Sequence, residues 1–142
     1  MVLLNRKHIL GKLLLETKHL PKRKTDESSF ILRPSKIEGV GVSTTCDIGK
    51  GVFLELFPGA KTRFITYAQF KKLNPLEKNF CTRYGVEDEN GIHFPKNFSK
   101  MEIGWYLNHG NKPNAHRDGN YDYFASRNIK GSEEIIIDYR EL

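Results

Sequence analysis

Cysteine is scarce in this 142-residue chain: Cys46 and Cys81 stand far apart, with no second pair beside either. That pattern writes neither a zinc ribbon nor a disulfide framework. Long apolar runs are missing as well, and without 18 consecutive apolar residues no stretch reads as a membrane-spanning helix. The apolar start (Val2, Leu3, Leu4, then Ile9, Leu10, Leu13, Leu14 and Leu15) is cut by Arg6, Lys7, His8 and Lys12, which argues against a cleavable secretion leader. The expectation is a soluble, intracellular protein, in the cytoplasm or the nucleus according to the organism. Internal repeats and low-complexity tracts are also absent. His109, His116, Asp118 and Asp122 match no dedicated metal motif, so no metal site is expected. No Ser-His-Asp or Cys-His arrangement suggests a covalent intermediate.

What is present is enough for one domain with a real core, since 38% of the residues are hydrophobic, and too little for two ordinary domains. The net charge of +6 is concentrated at one end. Residues 1–24 hold Arg6, Lys7, Lys12, Lys18, Lys22, Arg23 and Lys24 against Glu16 alone, and the two signs balance in the remainder. Such a basic head suits nucleic acid, an anionic surface or an acidic partner, although the commoner meaning is a solvated amphipathic helix. Nucleic-acid contact by this head is a weak expectation, because no basic strand face carries interleaved aromatics.

Apolar spacings of three and four predict a helix over Ile9–Leu20, ended by Pro21, and the polar stretch Lys22–Ser29 reads as a linker. Residues 1–29 are therefore assigned to a basic N-terminal helical extension and linker, and residues 30–142 to the main domain. From Phe30 onward short apolar runs alternate with turn signals. Strands are expected at Phe30–Leu32, Gly41–Val42, Val52–Leu56, Phe80–Val86, Ile92–Phe94, Tyr121–Ile129 and Ile135–Tyr139. Glu89-Asn90-Gly91 and Asp118-Gly119-Asn120 read as hairpin turns. Thr66 could cap a helix reaching Phe80, and Met101–Leu107 suggests a short helix or turn. Many short strands and few helices indicate a mostly β fold of several small sheets.

Three segments carry the chemistry: Glu38-Gly39-Val40-Gly41; Asn108-His109 with Pro113-Asn114; and Gly131-Ser132-Glu133-Glu134-Ile135-Ile136-Ile137-Asp138-Tyr139. Each has a plain structural reading, as a tight turn, a capped turn and a buried strand closed by an aromatic. Their order and spacing together resemble the signature segments of SET-domain protein-lysine methyltransferases, over about Ser35 to Tyr139, in the manner of a small bacterial- or viral-like member. The resemblance implies a SET β-clip fold of short sheets, with a knot-like C-terminal strand running under the Asn-His segment, an exception to the usual rule against threading. A Rossmann-type site is not expected, because Gly39 and Gly41 are flanked by strand-like residues on both sides.

The same resemblance implies S-adenosylmethionine as methyl donor and a lysine amine of a protein as acceptor, a basic histone-like protein being one candidate. It places Glu38, Gly39, Val40, Gly41, Asn108 and His109 around the cofactor and makes Tyr139 the catalytic residue. Tyr84, Tyr123 and Ile137 become candidate linings of the substrate channel. Asn114 more naturally fixes the local fold. Gly110 stands where the family usually has serine, and Ile137 where many relatives carry an aromatic that influences how many methyl groups are added. Many members also continue beyond the terminal tyrosine into a cysteine-rich, zinc-binding cover. Here the chain ends at Leu142, so a second copy in a homodimer, the N-terminal helix or the substrate is a candidate for the missing wall. The alternative reading is a non-catalytic SET-like module that binds cofactor or peptide.

Overall fold

The computed structural model describes residues 24–59 and 62–142. Among the described residues ten short strands form four small sheets. β1 (Phe30–Pro34) and β2 (Val40–Thr44) make an antiparallel hairpin in which Arg33 faces Gly41 and Leu32 faces Val42. β3 (Phe53–Leu54), β9 (Tyr123–Ala125) and β8 (Ala115–Arg117) form a second sheet in that order. β4 (Thr62–Thr66), β6 (Gly91–Pro95) and β5 (Val86–Glu87) form a third, also antiparallel. The fourth pairs β7 (Asn108–His109) with β10 (Ile136–Ile137) in parallel. The expected mostly β architecture is what the chain adopts, with the two turns at residues 89–91 and 118–120 joining antiparallel pairs.

The strands are shorter than the apolar runs suggest. Val52–Leu56 forms strand only at Phe53 and Leu54, and Tyr121–Ile129 only at Tyr123 to Ala125, with Ile129 in an isolated antiparallel bridge to Ile48. Tyr121 adopts a positive φ of 66° at its turn, is 71% exposed and lies under the Arg117 guanidinium, 4.3 Å from its ring centroid.

One expected strand is corrected outright. Phe80–Val86 is strand only at Val86: its first five residues complete α2 (Pro75–Tyr84), which follows α1 (Tyr67–Lys71). The reason is local. Asn74 caps α2 by accepting from the Glu77 amide while the Glu77 carboxylate accepts from the Asn74 amide, and Pro75 occupies the first turn, where a missing N–H costs nothing. That stop-and-restart also splits the single helix expected over Thr66–Phe80, although Thr66 caps its first half as expected. The turn of 3₁₀ helix at Ile103–Tyr106 matches the reading of Met101–Leu107.

Among the described residues two apolar clusters form the core. The larger centres on Val42, Ile48, Leu54, Leu56, Ile129 and Ile135, all nearly inaccessible to water. Each such aliphatic side chain is worth roughly 1.5–3 kcal/mol on burial. The smaller joins Ile65, Ile92 and Phe94 of the third sheet to Cys81 of α2. Residues 24–29, polar enough to read as linker, are packed against the body: Thr25 and Ser29 are buried, and Thr25 Oγ1 donates to the Phe53 carbonyl at 2.9 Å and accepts from the Glu55 amide at 2.6 Å. The helix expected over Ile9–Leu20 lies outside the described residues.

The C-terminal strand positions the site. On one side the Ile135 amide donates to the Val42 carbonyl at 2.7 Å, and on the other Ile136 and Ile137 pair with Asn108 and His109. Asn114, 1% exposed, fastens the crossing: its Nδ2 donates to the Glu134 carbonyl and its Oδ1 accepts from the Ile136 amide, each at 2.8 Å. A buried amide that satisfies two backbone groups of one strand sets that strand's register.

Candidate active site

β2, β7 and β10 bring the three chemistry-bearing segments into contact. Asn108 Nδ2 donates to the Glu38 carbonyl at 3.1 Å, the Val40 carbonyl at 3.3 Å and Glu134 Oε1 at 2.9 Å. One amide group therefore ties the glycine loop to Glu134 of the C-terminal segment. Asn108 Oδ1 accepts no hydrogen bond among the described residues, and it is partly exposed.

Glu134 is the second tie. Ser35 Oγ lies 2.8 and 3.0 Å from its two carboxylate oxygens and accepts from the Ile37 amide at 2.9 Å, which shapes the loop ahead of Gly39. Gly41 is buried directly under this carboxylate: a Cβ there would overlap Glu134 Oε1 and stand 3.1 Å from Asn108 Nδ2. Only glycine permits that approach. Gly39 holds φ at +52°, a left-handed turn that keeps residues 38–40 exposed above the network.

Tyr139 closes the third side. Its hydroxyl donates to the Leu107 carbonyl at 2.6 Å, its amide donates to His109 Nδ1 at 3.1 Å, and its ring lies 5.3 Å from the His109 ring. Because Nδ1 accepts, the proton of the neutral His109 ring belongs on Nε2. Burial of half the Tyr139 side chain, with the Glu38 carboxylate nearby, holds the phenol above its ordinary pKa of 10.0. Asp138 goes the other way, to about 2, because the Arg140 guanidinium and amide both donate to its carboxylate.

The candidate channel residues divide. Tyr123 is buried, packs 5.9 Å from the Phe57 ring and is pushed up in pKa by that burial. Ile137 belongs to the main core at 4% exposure. Tyr84 ends a helix and not the strand its sequence suggests, with its ring edge-on to Tyr106 at 5.7 Å. Gly110 has a spatial reason to lack a side chain: a Cβ would come within 2.7 Å of Ile136 Cγ2, so the space beside β10 that a serine would take is filled by isoleucine.

Sequence reasoning passed over Ser35 and Glu134 as contributors. A carboxylate at the head of a buried isoleucine strand, opposite a glycine, was the available signal, since such a group needs donors once it leaves water. Among the described residues no cluster of three or more His, Cys, Asp or Glu is arranged to hold a metal ion. No helix of the described residues is long and apolar enough to cross a membrane.

The SET domain family model matches residues 39–140, most of the chain and all of this arrangement except Ser35 and Glu38. The chain belongs to the SET-domain family. A solved chain from Plasmodium falciparum named "putative histone methyltransferase" has the same fold, with a TM-score of 0.53 and 22% identity over 80% of this chain and 95% of that one. No curated protein matches this SET-domain chain in sequence.

The donor set fits an S-adenosylmethionine ligand. The unused Asn108 Oδ1 can accept from an ammonium group, and His109 Nε2–H can donate to a purine or carboxylate acceptor. Gly39 leaves exposed backbone without a side chain above the network.

Proposed function

We propose that this chain transfers a methyl group from S-adenosylmethionine to the side-chain amine of a lysine in a protein substrate. The observation that carries the reading is the Asn108 amide: by bonding Glu38, Val40 and Glu134 together, it brings the glycine loop to the segment that leads through β10 into the short turn of 3₁₀ helix opening at Tyr139. Membership of the SET family and the fold shared with the Plasmodium protein support it.

When bound, S-adenosylmethionine supplies a methyl group already activated on a sulfonium, so the protein needs to position an amine and strip its proton, with no covalent intermediate of its own. Glu38, Gly39, Val40, Gly41, Asn108 and His109 hold the donor. Tyr139 orients the acceptor. Its hydroxyl proton is committed to the Leu107 carbonyl, which leaves the phenol oxygen to accept an N–H of the lysine and to aim the amine lone pair. With its pKa raised by burial, the phenol stays neutral and works as a positioning dipole and not as a base. Lysine has a reference pKa of about 10.4. Desolvation against the half-buried Tyr139 and the buried Tyr123 disfavours the ammonium, and the proton leaves to water.

The test is transfer of labelled methyl from S-adenosylmethionine to lysine-rich protein, with and without Tyr139→Phe. Label recovered as methyl-lysine and lowered roughly 100-fold by the substitution supports the reading. Equal transfer by both proteins removes Tyr139 from the mechanism. Tight binding of S-adenosylhomocysteine without any transfer makes the chain a binding module.

A further inference from the structure

The last turn of α2 presents Arg83 to the glycine loop. Its Nη2 lies 3.2 Å from the position a Cβ on Gly39 would occupy. An arginine at a helix C-terminus is commonly explained by the helix dipole. Here the guanidinium reaches beyond its own helix end to the Glu38–Val40 loop. It makes no ion pair or hydrogen bond among the described residues, although Glu38 is the loop's own acid, and its one contact there is with the Tyr84 ring at 5.9 Å.

We infer that Arg83 is the anion end of the donor site and holds the carboxylate of the cofactor's amino-acid portion; this rests on the proposed use of S-adenosylmethionine. Arg83 stands beside, and Asn108 bonds to, the same three-residue loop, and the two offer opposite chemistry. The guanidinium is a planar donor fork suited to a carboxylate, and Asn108 Oδ1 is an acceptor suited to an ammonium. A zwitterion laid along the exposed backbone of Gly39 meets both. Neither group alone would distinguish an amino acid from a simple amine or acid.

Calorimetry with S-adenosylhomocysteine and with its decarboxylated analogue, which keeps the amine and the adenosine, tests the assignment without methyl transfer. The unaltered protein should bind S-adenosylhomocysteine roughly ten- to a hundredfold tighter than the analogue, the span of one charge-assisted pair. Arg83→Met should bind the two ligands alike, and Arg83→Lys should restore part of the difference, both variants unfolding at the temperature of the unaltered protein. If Arg83→Met keeps the full preference for the carboxylate, or weakens both ligands equally, Arg83 does not hold that group, whatever becomes of the methyl-transfer reading. If it leaves both affinities untouched and raises the KM for the protein substrate instead, Arg83 belongs to substrate recognition and the assignment fails. Binding of neither ligand by the unaltered protein defeats the methyl-transfer reading itself, and Arg83 with it.

Discussion

Gly41→Ala probes the tie between the glycine loop and the C-terminal segment. The added Cβ would overlap Glu134 Oε1 and stand 2.8 Å from its Cδ. Gly41 is buried in β2 opposite Arg33, so the backbone cannot retreat without opening the β1–β2 hairpin, and the carboxylate must move. Moving it breaks the bonds from Ser35 Oγ at 2.8 Å and Asn108 Nδ2 at 2.9 Å. Each bond to a charged acceptor is worth about 1.5–3 kcal/mol. Glu134 is only partly buried, so water recovers some of that, and a net loss of about 2–4 kcal/mol is expected. For a domain of this size the midpoint of thermal unfolding should fall by about 8–15 °C. The control is a double-mutant cycle read by circular dichroism. With Glu134→Ala in place the Cβ has room, and Gly41→Ala should then cost under about 0.5 kcal/mol beyond ordinary propensity. A penalty undiminished in that background would refute the argument, because the damage would then come from the backbone and not from the carboxylate.

Further outcomes follow from the same contacts. Asn114→Ala removes two hydrogen bonds to a buried strand and leaves the Ile136 amide and Glu134 carbonyl unpaired, so about 3 kcal/mol of stability should be lost in denaturant titration; a loss under about 1 kcal/mol would mean that water replaces the amide. Asp138 should titrate near 2 by carboxyl NMR. A depressed folded pKa stabilises above the unfolded value of about 3.9 and is lost as pH falls toward 2, and Arg140→Ala should move the titration up toward 4; an unmoved titration would contradict the assigned cause. The Tyr139 phenol should ionise above 10.0 in an ultraviolet titration referenced to Tyr139→Phe, with Glu38→Gln bringing it partway down. Being raised, that pKa favours the folded state below pH 10 and ceases to do so as the pH climbs through the folded value. A phenol that ionises below 10.0 would argue for a base, not a positioning group.

Much of this architecture was legible in the residues. Alternating apolar runs with Asn-Gly and Asp-Gly turns gave the hairpins at residues 89–91 and 118–120, since those dipeptides supply the backbone angles a tight turn requires. Asn74-Pro75 was the missed signal. A capping residue followed by proline starts a helix, and reading it would have carried α2 through Phe80 to Tyr84 and moved Tyr84 off a strand. The β-prone aromatics at Phe80 and Tyr84 pointed the other way, and the local cap with packing against Ile92 and Phe94 prevailed. In the site, the resemblance to the SET segments put Asn108, His109 and Tyr139 in one place, and Tyr139 meets His109 and the Leu107 carbonyl there. The partners of Glu134 were not readable, because Ser35 and Glu134 are 99 positions apart and meet only through the sheet order. Arg83 was hidden for the same reason, and only the turn of α2 toward Gly39 reveals it.

The central claim is spatial, that the methyl of a bound donor faces the Tyr139 phenol. It is tested most directly by nuclear Overhauser contacts from S-adenosylmethionine carrying a carbon-13 methyl, bound to protein with labelled tyrosine rings. Cross-peaks from the S-methyl protons to the ring protons of Tyr139, lost with Tyr139→Phe at the tyrosine frequencies, are the expected result. A saturated complex whose S-methyl protons contact other residues and never that ring would contradict the account.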